Sequence, residues 1–261
     1  MSARGRVRTA LVTGAASGMG RMAAQRLAAA GVRVAAVDLD SSGLADTALR
    51  SSNTHTFSCD VTDAAAVTGV VERVTGELGP IDRLVHAAGL CRIGPALEHA
   101  LPSLRRVVEV NFLGTVHVTR AVVPGMLDRG DGEVVLFGSL AGWLPSPRLA
   151  AYSASKFAVT AFAEVLAQEV AGSGVRVLCV CPGQVETPLA QGVRAIDPGV
   201  LGGRSGMPPE EALDAVEAAL ASRRAPLFVF PGRGTSQTVL ARRLLPNLLR
   251  RQIIRHVRPA R

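Results

Sequence analysis

Two residues of this chain could do chemistry together. Tyr152 is the only tyrosine and Lys156 the only lysine, against 28 arginines. The run reads Tyr152-Ser153-Ala154-Ser155-Lys156, and residues four apart share a helical face, so phenol and ammonium project together. An unperturbed phenol, with a pKa near ~10, is a poor acid or base at neutral pH. A neighbouring ammonium stabilises phenolate and makes the group usable for proton transfer. The composition replaces lysine wherever arginine serves, and it has kept one compact, readily pKa-shifted ammonium. Ser139 lies 13 residues before Tyr152, just past an apolar run. Its hydroxyl can hydrogen-bond a substrate oxygen as charge shifts.

A second group suits a dinucleotide. Thr13-Gly14-Ala15-Ala16-Ser17-Gly18-Met19-Gly20 joins a first apolar run to a helical pattern. Glycines there permit a tight turn, so amides at a helix start can meet a pyrophosphate. Asp38 closes the next apolar run, 18 residues beyond Gly20. A carboxylate at that point accepts hydrogen bonds from the adenosine ribose and repels a 2′-phosphate. Neither Ser17 nor Leu39 is basic, so NAD is expected over NADP; Asp40 is a competitor for the same role.

These residues need a scaffold, and the chain supplies alternating strands and helices. Strands are expected at 7–13, 32–37, 54–59, 81–87, 133–137, 175–180 and 226–230. Helices are expected at 19–30, 41–50, 63–78 (capped by Asp or Thr), 101–110, 112–128, 149–171 and 209–222. Such alternation implies an α/β fold, a single Rossmann-like doubly wound parallel sheet, with ligands bound outside the carboxyl ends of its strands. Residues 188–206 are rich in Gly and Pro and read as a mobile flap over the site. The oxidoreductase domain is expected to span 1–231, with a C-terminal helical extension over 232–261.

Residues 13–20, Ser139, Tyr152 and Lys156 together resemble the short-chain dehydrogenase/reductase family, over roughly residues 7–190. The resemblance implies an NAD(P)-dependent oxidoreductase acting on CH–OH groups. Asn111 matches the family's fourth catalytic residue, which holds a water in the proton relay behind the lysine. Lys156 would also hold the nicotinamide ribose, and Asp60-Val61 matches the pair that contacts adenine. Pro182-Gly183-Gln184-Val185-Glu186-Thr187 matches the stretch beside the nicotinamide carboxamide. Where the family reads Asn-Asn-Ala-Gly, this chain has His86-Ala87-Ala88-Gly89. The missing amide removes a fastening between central strands, and His86 reads as structural. The implied cofactor set is Gly14, Ser17, Gly18, Met19, Gly20, Asp38, Asp60, Val61, Ala88, Gly89, Tyr152, Lys156, Pro182, Gly183, Val185 and Thr187. The resemblance also implies a homodimer or homotetramer built through the helices at 112–128 and 149–171.

Composition sets limits. No stretch of eighteen uncharged apolar residues suggests a membrane-spanning helix, and no signal-peptide core precedes the first strand, so a cytoplasmic protein is expected. Cys59, Cys91, Cys179 and Cys181 show no metal-ligand spacing and read as reduced core residues. Through Glu217 the chain carries 19 basic and 21 acidic residues; after it come ten arginines and no acidic side chain. Pro246 suits the first turn of a helix, with Leu249, Ile253 and Val257 on one face and Arg251, Arg255 and Arg258 on another. That tail could pack on the body or a second subunit, or dock peripherally on an anionic inner-membrane surface. Nucleic acid is disfavoured because no aromatic follows Phe230. Leu90, Ile93, Leu140, Trp143 and Leu144 are expected around Ser139, favouring a small apolar alcohol or carbonyl substrate such as a steroid, retinoid or fatty-chain alcohol. The alternatives are an NADP-linked lipid ketone reductase and a catalytically idle NAD sensor or membrane adaptor.

Overall fold

The structure is a computed structural model that describes residues 7–200, 205–222 and 224–256. Seven strands run parallel: β1 (Thr9–Thr13), β2 (Arg33–Asp38), β3 (Thr54–Ser58), β4 (Arg83–His86), β5 (Gly132–Phe137), β6 (Val175–Val180) and β7 (Phe228–Val229). Their order across the sheet is β3-β2-β1-β4-β5-β6-β7. The direction of winding reverses between β1 and β4, and such a reversal opens a crevice at the carboxyl ends of the strands. The central strands are buried on both faces, which is why they read as continuous apolar runs.

The helices are α1 (Gly18–Ala29), α2 (Ser41–Ala48), α3 (Ala64–Leu78), α4 (Leu101–Val108), α5 (Gly114–Arg129), α6 (Ala150–Glu169), α7 (Pro188–Ile196), α8 (Pro209–Ala221), α9 (Thr235–Leu244) and α10 (Pro246–His256). One packed layer joins α1 and α8 to the sheet through Ala24, Leu27, Leu213 and Val216. The other joins α3, α5 and α6 through Val74, Val118, Met126 and Ala163. Asp63 caps α3 by accepting from Ala65 and Ala66 N–H, and Asp40 caps α2 by accepting from Ser42 and Gly43 N–H. At the sheet's opposite end, neighbouring strands align Arg83, Glu133 and Arg176 as a ladder of alternating charge.

Three expectations change. The helices foreseen at 101–110 and 112–128 form one continuous run, joined by a π-helical turn at Glu109–Leu113. The flap expected at 188–206 is not without periodic structure. Thr187 caps α7 by accepting from Ala190 N–H, Pro188 occupies its first turn, and Ala190 and Val193 are buried. The segment returns by pairing Met207 with Val185. The last strand, expected over 226–230, keeps only two residues. In the tail, α10 begins at Pro246 as expected and α9 precedes it; Val257, Arg258 and Arg261 lie outside the described residues.

Candidate active site

Every residue assigned to the dinucleotide, together with Ser139, lines one cavity of about 550 Å³ at the carboxyl ends of the strands. Asn111 stands behind it. The glycine turn shows why small residues are needed. Gly14 has φ +68, and a Cβ there would stand 2.7 Å from the backbone of Ala87 and Ala88. A Cβ on Gly20 would lie 2.1 Å from Gly14 O, so the turn closes only without side chains. Ser17 precedes α1, and its side chain makes no capping hydrogen bond to the helix's first turn. That leaves helix-start amides for an anion, the arrangement a pyrophosphate needs.

At the adenosine end, Asp38 accepts from Ala16 N–H (3.0 Å) and from Asp40 N–H (3.1 Å). Asp40 is committed to capping α2 and does not line the cavity, so Asp38 is the carboxylate available there. Asp60 brings a residue that sequence reasoning missed. Arg106 donates to Asp60 Oδ2 (2.8 Å) and Thr62 Oγ1 (2.9 Å), and it lines the same cavity. Although burial opposes it, bonds from Arg106 and Thr62 hold the Asp60 carboxyl below its ordinary range.

At the other end the proton-transfer group converges. Gly142 allows it: a Cβ there would meet Lys156 O at 2.6 Å, so the turn carrying Ser139 can press on α6. Ser139 Oγ accepts from Ala141 N–H (3.1 Å). Lys156 Nζ donates to Phe137 O (2.8 Å) and lies 5.8 Å from the Tyr152 ring centroid. Burial pushes the Tyr152 phenol up to about 12, Cys91 adds to the rise, and a hydrogen bond from Ser139 pulls it down. Burial lowers the Lys156 ammonium to about 8. Without cofactor the pair thus sits opposite to the sequence expectation. Desolvation dominates at both groups, and the lysine is the first of the two to lose its proton.

Asn111 owes its place to the π turn, a device that recurs at functional sites. Its amide donates to Leu90 O (2.9 Å) and Ser155 Oγ (2.9 Å), and Oδ1 accepts from Leu90 N–H (2.8 Å). The side chain therefore ties the loop after β4 to the helix that carries Lys156.

The substituted Asn motif has a replacement. Thr13 Oγ1 accepts from Ala88 N–H (3.3 Å) and pairs with His86 Nδ1 (2.8 Å), fastening β1 to β4. Burial lowers His86 to about 3, with the Lys156 charge assisting, so the ring is neutral and structural. The unfolded chain binds a proton at the ordinary histidine pKa of 6.5, which the folded chain refuses. Stability therefore falls as pH drops from 6.5 towards 3, by about 5 kcal/mol. His86→Asn is expected to flatten the slope of Tm against pH between about 6 and 4. An unchanged slope in thermal melts would remove His86 as the acid-sensitive group.

The substrate walls differ in part from expectation. Leu90, Leu140 and Leu144 line the cavity, joined by Leu149, Leu189, Val193 and Val200. Ile93 lines an adjoining hollow instead. Trp143 turns away and packs edge-on against Phe228 and Phe230, at 5.0 and 5.5 Å between ring centroids. Its indole donates to Cys181 Sγ (3.3 Å). Cys59, Cys179 and Cys181 are buried free thiols and Cys91 is half-buried; Cys59 and Cys91 both lie at the cavity wall. Burial raises Cys91 to about 12, which leaves it an unreactive thiol.

A parallel sheet with a dinucleotide crevice and a tyrosine–lysine pair at its end defines a nicotinamide-dependent oxidoreductase. Residues 8–197 match the family model described as short chain dehydrogenase, and the chain belongs to that family. It is an NAD(P)-dependent dehydrogenase acting on hydroxyl groups. It is 39% identical over 183 residues to a 2-dehydro-3-deoxy-L-rhamnonate dehydrogenase (NAD(+)) of a Sphingomonas species, covering 70% of this chain and 74% of the relative. It is 38% identical over 229 residues to 1-deoxy-11-beta-hydroxypentalenate dehydrogenase of Streptomyces avermitilis, covering 84% and 83%. Among solved structures, a short-chain dehydrogenase from Streptomyces avermitilis superposes with a TM-score of 0.82 at 30% identity, covering 96% of each chain.

Proposed function

We propose that this enzyme oxidises an apolar secondary alcohol to its ketone with NAD, Tyr152 accepting the hydroxyl proton. The observation that carries the proposal is the placement of Ser139 and Tyr152 at the apolar end of a cavity whose other end presents Asp38. The residues fit a dinucleotide: the glycine turn leaves no room for Cβ atoms, and Asp38, whose two oxygens each accept one backbone N–H, keeps further acceptor capacity beside Ser17 and Leu39. Arg106, the arginine that lines this cavity, is already paired with Asp60. The bound nicotinamide supplies the hydride acceptor and, when oxidised, a positive charge that favours phenolate.

Ser139 orients the substrate oxygen, Lys156 supports the phenolate and the ribose hydroxyls, and Asn111 braces the loop after β4 against α6. Leucine and valine walls favour a steroid, retinoid or fatty-chain substrate over a sugar, and they exclude water from the reacting oxygen. The relative named for a hydroxypentalenate supports the apolar substrate, and the relative named as an NAD(+) enzyme supports the cofactor, although its own printed substrate is a sugar acid. Exposed Leu113, Leu127, Phe157 and Val165 on the helical run through α5 and on α6 support a homodimer or homotetramer formed through these helices.

The test is parallel fluorescence titration with NADH and NADPH. The parent protein is expected to bind NADH at least tenfold more tightly, and Asp38→Ala to lose that preference. Tighter NADPH binding by the parent would assign the chain to carbonyl reduction with NADP instead.

A further inference from the structure

We propose that the arginine-rich helical pair at the C-terminus, α9 with α10, docks the enzyme on an anionic lipid surface. The two helices pack on each other, and neither makes an extended contact with another helix or strand among the described residues. Their joint surface carries leucines that no other described residue covers. Leu240 is 57% exposed, Leu244 66%, Leu245 55% and Leu248 54%. Leu240 and Leu244 lie one turn apart on α9, while Leu245 and Leu248 continue the apolar surface across the joint at Pro246.

Cations flank these leucines. Arg242, Arg243, Arg250 and Arg251 form no ion pair among the described residues, and no aspartate or glutamate occurs after Glu217. In the body the two signs nearly balance. Exposed leucines beside unpaired arginines suit a bilayer interface, where apolar side chains enter the acyl boundary and guanidinium groups meet phosphate oxygens. A second copy of this chain fits less well, since tails meeting through this face would oppose arginine with arginine. A nucleic-acid backbone would satisfy the arginines but gives the leucines no role.

The pair is also rooted in the wall of the active site. Thr235, at the start of α9, is buried and donates through its hydroxyl to Pro231 O (3.1 Å). A Cβ on Gly183 would stand 3.1 Å from that hydroxyl oxygen. A Cβ on Gly232 would run into the side chain of Met207, whose backbone pairs with the segment at Val185. Gly183 and Val185 line the cavity, so docking would set its wall close to the lipid from which an apolar alcohol partitions. Docking itself does not depend on that substrate.

The test uses the full chain sedimented with vesicles of phosphatidylcholine alone or mixed with phosphatidylglycerol. Binding is expected to be at least tenfold tighter to the anionic vesicles. Raising salt from about 0.1 M to about 1 M should weaken it, because the screening length falls from ~10 Å to ~3 Å. Leu240→Ser with Leu244→Ser and Leu248→Ser leaves charge unchanged and should reduce anionic binding at least tenfold. Arg242→Gln with Arg243→Gln and Arg250→Gln should abolish the preference between vesicles. Both triple variants should retain the parent's turnover in lipid-free buffer. Equal binding to the two vesicles, or a leucine variant that binds like the parent, would overturn the proposal. So would a change in mass by light scattering that follows the leucine substitutions without vesicle binding, which would give the face to a second copy. Tighter binding to a DNA duplex than to anionic vesicles would assign it to nucleic acid.

Discussion

Tyr152→Phe is expected to lower turnover by about 10²–10⁴-fold, the usual range for removing a positioned acid–base group, while NADH binding stays within a few-fold of the parent. The phenyl ring keeps its packing against the cluster of Leu149, Val193 and Val200, so the loss is confined to the hydroxyl. The neighbouring titratable groups do not replace that hydroxyl. Burial holds the Cys91 thiol near 12, and His86 is neutral and paired with Thr13. The check is kcat with an apolar secondary alcohol, alongside nucleotide titration and circular dichroism. Retention of more than a tenth of the parent kcat would remove Tyr152 as the acid–base group.

The parts legible in the sequence were those encoded locally. The turn at 13–20 announces itself because Gly14 and Gly20 meet within eight residues, and Tyr152 and Lys156 share a face on any helix. Asp38 was separable from Asp40 only in part, because both could end a strand and the choice depends on which caps α2. Other features depend on partners distant in the chain. Thr13 reaches His86 because β1 and β4 are neighbours in that register. Trp143 leaves the cavity because Phe228 and Phe230, far along the chain, provide its aromatic partners. The π turn at Asn111 has the same apolar periodicity as the helices it joins, so no pattern marks it. In α7 the signal was present, as Thr187, Pro188 and the buried pair Ala190 and Val193, but surrounding Gly and Pro residues masked so short a helix.

Lys156→Met is expected to abolish useful turnover and yet raise the melting temperature at neutral pH. Lys156 is only 5% exposed, and its ammonium has one hydrogen bond, to Phe137 O. No carboxylate pairs with it among the described residues; its charged-state neighbours are the thiols Cys179, Cys181 and Cys91. Its pKa drops from 10.5 unfolded to about 8 folded, so the unfolded chain holds the proton more tightly. Below about pH 8 this opposes folding by about 3 kcal/mol, and the penalty is relieved as pH rises from 8 to 10.5. Methionine fills a similar volume without the charge, at a cost of about 1–3 kcal/mol for leaving Phe137 O without that donor. A net gain of about 1 kcal/mol corresponds to a rise of about 2–4 °C for a chain of this size. The gain should shrink between about pH 7 and pH 10, because the parent then loses the buried charge while the variant has none to lose. A variant less stable than the parent at pH 7 would show that the ammonium is held for the fold. The expected result means the opposite: the chain keeps its only lysine at a site where it destabilises the fold, because a buried ammonium beside Tyr152 is worth more to catalysis than the stability it forgoes.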